Sequence, residues 1–252
     1  MTAAIHAAMR ALASQFREAE RIGPFTATFS SGTANPYLSY AVPDDGAEPS
    51  AEDVAALVAA YRERGLVPRL EYVPALAPAV EPALLEAGFT VELRAPLMAL
   101  GEARAPEPPP GIELVEAVTE PDVRATATAQ HEAYAEPGPP SNAWVEGMLR
   151  GLRAGGLVVL ARDTETGEPA GGGQCTPPAE GATELAAIGV RPAYRRRGIA
   201  AAMTAWLAER MRARGASLVW LTAAGEPEAR IYAGVGFERV GDALYISLRD
   251  EP

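Results

Sequence analysis

Val190-Arg191-Pro192-Ala193-Tyr194-Arg195-Arg196-Arg197-Gly198-Ile199-Ala200-Ala201 is the stretch on which the fold turns. It reads as the end of a β-strand at Val190, a turn at Pro192, an arginine-glycine loop, and a helix from Ile199 to about Arg214. A loop of this kind sets several backbone N–H groups at the positive end of a helix, a cradle for phosphate or pyrophosphate. Gly198 lets the backbone approach such a ligand, and Arg195, Arg196 and Arg197 add positive charge. A bare arginine run would read as a solvated cap. The strand, the proline and the Gly-x-Ala step together favour the cradle.

The rest of the composition narrows what that cradle serves. The chain has 252 residues and a net charge of −11, with all 22 basic residues arginine. The absence of lysine excludes a Walker A loop, a pyridoxal Schiff base and a lysine nucleophile. The acidic balance argues against a nucleic-acid binder, so an isolated arginine patch suits one small polyanion. Cys175 is the sole cysteine, so the fold needs no oxidising compartment; with two histidines it leaves little for a metal site. No run is long and apolar enough for a membrane span. Met1 to Arg21 reads as an amphipathic helix with Ile5, Met9, Leu12 and Phe16 on one face, not as a secretory signal; the expected location is the cytoplasm.

Gly101 to Gly111 holds four prolines and reads as a semi-rigid linker, dividing the chain into domains 1–105 and 106–252. In the second, strands are expected at Ile112 to Glu116, Leu157 to Asp163, Gly171 to Thr176, Glu184 to Val190, Leu218 to Ala223 and Ala243 to Arg249. Helices fall at Glu120 to Tyr134, Ala143 to Arg153, Ile199 to Arg214 and Glu226 to Gly234. Thr164 to Pro169 reads as a hairpin turn, and Gly171-Gly172-Gly173 as a strand edge or bulge rather than a nucleotide loop. Cys175 reads as a small buried residue.

Arg195-x-x-Gly198-x-Ala200, with Val-x-Pro upstream, resembles the acetyl-CoA signature of the GNAT N-acetyltransferase superfamily, and the element order resembles its layout. The resemblance implies an α/β (mixed α+β) fold, with a central mixed, mostly antiparallel sheet flanked by helices. It also implies transfer of an acyl group, most simply acetyl from acetyl-CoA, to a primary amine by direct attack. Ile188, Gly189 and Val190 would meet the pantetheine arm through their backbone. Arg195, Arg196, Arg197, Gly198, Ile199, Ala200 and Ala201 would hold the pyrophosphate, with no metal. Tyr232 would protonate the leaving thiolate. Glu184 is a candidate base, with Glu132, Glu136 and His131 as rivals. Glu228 and Glu226-Pro227 depart from the alanine and asparagine of the family pattern. The acceptor is a small-molecule amine or a protein N-terminus, and the protein a monomer or homodimer. A non-catalytic acyl-CoA-binding or sensing module is the alternative, and an arginine docking patch a third reading.

The first half echoes the second. Arg62-Glu-Arg-Gly65 and Arg212-Ala-Arg-Gly215 each close a helix, and Gly88-Phe89 and Gly236-Phe237 each follow a shorter one. The paired glycines lie 150 and 148 residues apart, which points to a duplicated domain. In place of the arginine loop the first half reads Pro43-Asp-Asp-Gly-Ala-Glu-Pro-Ser50, whose carboxylates would repel a pyrophosphate. It is expected to be a smaller, degenerate GNAT-like domain without a CoA loop.

Overall fold

A computed structural model describes residues 1–15, 17–30, 36–104 and 106–249. Two compact units form: Met1–Leu97 with Val240–Pro252, and Met98–Arg239.

The first unit begins with α1 (Thr2–Gln15), β1 (Glu18–Ile22), β2 (Phe25–Phe29) and β3 (Ala41–Pro43). After α2 (Ala51–Glu63), β4 (Arg69–Tyr72) and α3 (Val80–Glu86) comes β5 (Thr90–Leu100), whose last three residues belong to the second unit. The sheet order is β1-β2-β3-β4-β11-β5, where β11 is Phe237–Ser247. Leu244 and Ile246 of β11 stand opposite Tyr72 and Leu70 of β4 in antiparallel register, and all four are fully buried. The helix expected over Met1 to Arg21 stops at Gln15, because Gly23 (φ 50°) turns the chain so that Ile22 pairs with Phe25. Phe16 lies outside the described residues. Ser50 and Asp53 form the expected N-terminal cap of α2, with side chain and backbone bonded in both directions.

The second unit follows the expected element order. It comprises β6 (Ile112–Glu116), α4 (Glu120–Ala133), α5 (Asn142–Arg153), β7 (Leu157–Asp163), β8 (Pro169–Cys175) and β9 (Ala182–Val190). Next come α6 (Ile199–Ala213), β10 (Leu218–Thr222), α7 (Glu226–Gly234) and the first residues of β11. The sheet runs β10-β9-β8-β7-β6, with β9–β10 parallel and the other pairs antiparallel. The final strand starts at Phe237, six residues before the expected Ala243.

The three glycines of β8 set the layering. A Cβ at Gly172 would sit 2.5 Å from Thr126 of α4, whereas Cβ atoms at Gly171 and Gly173 would meet Met203 and Leu207 of α6. Successive strand residues face opposite sides, so α4 and α6 cover opposite faces of the sheet. The glycines thus mark close helix packing on an interior strand, not an edge; the register does shift between Gly172 and Gln174. Leu157, Val159, Met203, Leu207, Met211 and Val219 form the core on the α6 side, and Val123, Ala127, Val145, Val158 and Leu160 that on the α4 side. Each large aliphatic side chain so buried contributes about 1.5–3 kcal/mol. Cys175 is buried, which pushes its thiol well above the usual range.

The helix-closing glycines of both units take the same conformation. Gly65 (φ 66°) and Gly215 (φ 96°) each donate to the residue three back, and Leu66 and Ala216 donate to Tyr61 and Met211. Both are left-handed C-terminal caps of one hydrogen-bond pattern.

Candidate active site

The site opens where two parallel strands part. β9 and β10 stay in register only at Ala182↔Leu218, Thr183↔Val219 and Glu184↔Trp220. Beyond Glu184 the strands diverge, and a cavity of about 1060 Å³ lies against the rest of β9, the arginine loop, the start of α6 and α7. An opening at the carboxyl ends of parallel strands is the usual place for a ligand in such sheets.

The loop is built as a cradle. After the turn Pro192–Tyr194, Arg196 (φ 62°) and Gly198 (φ 85°) both take left-handed conformations, and Gly198 is the N-cap of α6. The amides of Ile199, Ala200 and Ala201 have no partner within the helix, and all three residues line the cavity. A Cβ at Gly198 would meet nothing within 4 Å, so the backbone there faces open space. These features fit a pyrophosphate.

The arginines divide by role. Arg196 and Arg195 line the cavity. Arg195 also donates to the carbonyls of Val190 (3.2 Å) and Ala133 (2.7 Å), tying the loop to the C-terminal end of α4. Arg197 is not among the lining residues; its guanidinium reaches the Pro110 carbonyl at 3.1 Å and lies over the Tyr194 ring. Arg191 is held by Glu132 at 2.6 Å and by the Pro169 carbonyl. Pro106, from the proline-rich segment, lines the cavity, and the N–H of Arg104 bonds the Val235 carbonyl.

Ile188, Gly189, Val190, Glu184 and Tyr232 all line the cavity. Tyr232 is half-buried, with Phe237 edge-on at 6.4 Å, and desolvation raises its hydroxyl well above the ordinary phenol value, followed by the nearby Tyr134 and Glu228. Its hydroxyl therefore keeps its proton at neutral pH. Glu184 anchors the start of β9, its N–H bonded to the Thr176 hydroxyl at 2.9 Å. Of the rival bases, Glu132 is engaged by Arg191, and neither Glu136 nor His131 is in the cavity lining. Among the described residues, no group of three or more His, Cys, Asp or Glu side chains is placed to hold a metal.

Residues 115–237 match the acetyltransferase (GNAT) family. The chain carries a GNAT acetyltransferase domain. A GCN5-related N-acetyltransferase from Kribbella flavida is similar over 100% of this chain and 96% of its own, at 26% identity and TM-score 0.82. A GCN5-related N-acetyltransferase from Sphaerobacter thermophilus has the same fold over 91% of this chain and 78% of its own, at 20% identity and TM-score 0.66. A tandem GNAT protein from the clavulanic acid biosynthesis pathway does so over 90% and 79%, at 16% identity and TM-score 0.64. No curated protein matches the sequence. By family, residues 115–237 form an acyltransferase domain. Among the described residues, no helix is long and apolar enough to cross a membrane.

Two residues of the GNAT domain's cavity region escape a reading of local sequence. Gln130 donates to the Ala187 carbonyl at 2.9 Å and Tyr134 to the Ile188 carbonyl at 3.1 Å. Desolvation pushes the Tyr134 hydroxyl up to about 12. Their partners lie 57 and 54 residues away in sequence, and only the helical spacing of 130 and 134 marks them as sharing a face.

The Pro43 to Ser50 loop of the first unit is bound by side chains of its own unit. Asp44 pairs with Arg21, and Asp45 accepts from His6 and from Arg10, both at 2.7 Å. At the start of α2, the Ser50 N–H donates to the Asp53 carboxylate and the Asp53 N–H to the Ser50 hydroxyl.

Proposed function

We propose that this GNAT domain transfers acetyl from acetyl-CoA to a primary amine by direct attack. The observation that carries the reading is the open cradle at Gly198 to Ala201 on the same cavity as Tyr232. The pyrophosphate would lie against the α6 amides with Arg195 and Arg196, and the pantetheine arm along Ile188 to Val190. Arg197 would act through the loop, by holding it to Pro110. In the reaction a C–N bond forms at the thioester carbon as the C–S bond breaks. The amine's proton passes to Glu184, directly or through water, and Tyr232 gives its proton to the departing sulfur. Holding both reactants in one cavity can supply roughly 7–11 kcal/mol of the barrier in the best cases.

The acceptor is a small-molecule amine or a protein N-terminus, and the reaction is cytoplasmic, in keeping with a chain that has one buried cysteine. Residues 1–105 and 106–252 are read as tandem halves of a duplicated domain, the first degenerate. Its closed loop and the matching glycine caps support that origin. The test is release of free CoA from acetyl-CoA across a panel of primary amines. Amine-dependent release supports the enzyme. Binding of acetyl-CoA with no release under any amine would instead leave a sensing module.

A further inference from the structure

One titratable side chain of the first unit lies wholly inside it and far from any acyl-transfer chemistry. His6, in the second turn of α1, is fully buried, with Ile5, Ala8, Met9 and Ala13 as the other buried residues of the helix. A buried histidine is ordinarily bonded at both ring nitrogens. Here Nδ1 lies 2.7 Å from the Asp45 carboxylate, and Nε2 has no partner. Asp45 stays ionised: burial works against it, but the bonds from Arg10 and His6 outweigh that and hold its carboxyl below the usual range. A carboxylate can only accept, so Nδ1 carries the hydrogen and Nε2 is a bare lone pair. Arg10, one turn along α1, donates to the same Asp45 oxygen at 2.7 Å and to the Pro43 carbonyl at 3.1 Å. With Nδ1 protonated, the 3.1 Å approach of Arg10 to that nitrogen is a contact rather than a hydrogen bond.

Few other charges surround the ring. α1 packs chiefly against β1, β2, β3 and the turn Pro74–Leu76. β2, β3 and that turn carry no titratable residue. On β1, Arg21 pairs with Asp44, while Glu18 and Glu20 are engaged by Arg64. β4 brings the Tyr72 ring to 6.5 Å from the imidazole, with a buried hydroxyl that likewise has no partner. The charges that act on the ring are Arg10, Asp45 and Asp44. A proton added at Nε2 would put an N–H into the core without an acceptor, and a charge where water does not reach it. Burial therefore holds the imidazole below its ordinary value of 6.5, with the Asp45 bond pulling the other way and the Arg10 charge adding to the effect.

We propose that the clasp of His6 and Arg10 on the Pro43 to Asp45 turn is an acid-sensitive latch, which holds α1 on the first unit until His6 takes up a proton. The imidazole gains its proton by leaving the core, and it cannot leave without the turn of α1 that carries it. The same movement withdraws Arg10 from Asp45 and uncovers Ile5, Ala8, Met9 and Ala13 together. A histidine kept neutral by the fold contributes stability that is complete above the unfolded value of 6.5 and declines as pH falls below it, down to the folded value. Opening of α1 therefore increases about fivefold to tenfold between pH 7.5 and 5.5 for one proton taken up. Asp44 and Asp45, both held below the usual carboxylate range, keep their charge across this window. No residue of the acyl-transfer site takes part, so the latch stands apart from the acetyl-CoA reading.

The test follows the full chain from pH 7.5 to 5.5 by imidazole NMR and by hydrogen exchange of residues 2–15, corrected for the intrinsic pH dependence of exchange. His6 and His131 are the two histidines, and His131→Gln assigns their signals. In the wild type the His6 midpoint is expected below 6.5, and α1 opening should rise about fivefold to tenfold while that of α6 stays constant. His6→Asn places an amide donor near Nδ1 and removes the titration, so its α1 opening should not change with pH. Wild-type α1 exchange that does not rise overturns the latch, and so does an equal rise in His6→Asn. Should His6→Asn not fold, the wild-type comparison decides alone: a His6 signal that becomes charged while α1 remains protected refutes the release.

Discussion

Gly198→Glu tests the cradle against a control that the structure itself provides. Gly198 and Gly215 stand at the two ends of α6, at φ 85° and 96°, and a Cβ at either would meet nothing within 4 Å. A side chain at either position costs about 1–2 kcal/mol in left-handed strain. Only position 198 lines the cavity. A carboxylate about 5 Å from a phosphate charge, at an effective dielectric near 20, costs about 3 kcal/mol per charge pair. That weakens binding more than ~100-fold. With acetyl-CoA at about 100 times the wild-type Kd, ligand stabilisation drops from ~2.7 to ~0.4 kcal/mol. In thermal unfolding, a ligand shift of roughly 5–10 °C in the wild type and in Gly215→Glu should shrink to about 1 °C in Gly198→Glu. The helix dipole changes the unliganded Tm of the two variants in opposite senses but not the ligand shift. A full shift in Gly198→Glu would refute the placement of the pyrophosphate.

Three further outcomes are expected. Tyr232→Phe lowers kcat by about 10²-fold with acetyl-CoA affinity unchanged, within the usual range for general acid–base catalysis; equal turnover in a CoA-release assay would remove its acid role. Tyr61 and Tyr72 are fully buried and desolvation raises both hydroxyls above their ordinary value of 10. Their folded-state pKa exceeds the unfolded one, so their contribution is complete below pH 10 and is lost as pH rises, at about 2.7 kcal/mol per pH unit for the pair. Urea unfolding at pH 10 to 12 should show a slope of at least that size, lowered by about 1.4 kcal/mol per pH unit in Tyr61→Phe. Ser50→Ala breaks the capping box of α2 and should cost about 1 kcal/mol by urea unfolding, while leaving the acetyl-CoA shift intact.

The second unit was legible because its elements carry local signals. Periodic apolar residues, Gly198 before α6 and Gly215 after it set boundaries within a residue or two. The first three strands were not. β1 carries charges at Glu18, Glu20 and Arg21, buries only Ile22, and so shows no alternation. The signal that was available is Gly23-Pro24 before the aromatic and β-branched run Phe25 to Phe29. At the site, the cradle could be read because one contiguous stretch builds it. The grip of Gln130 and Tyr134 on β9 could not, since long-range packing creates it. The outward turn of Arg197 depends in the same way on Pro110, far away in sequence.

The division of β11 has a consequence for the order in which the protein is made. Val240 onward completes the first unit beside β4, yet the whole of the second unit is encoded between Leu97 and that strand. As the chain emerges from the ribosome, the first unit must wait, with Leu70 and Tyr72 uncovered on the β11 side, until the acetyltransferase domain has been synthesised. Unpaired strand edges and exposed apolar surface are what nascent chains aggregate through, so this wait is the stage at which a chaperone would matter most.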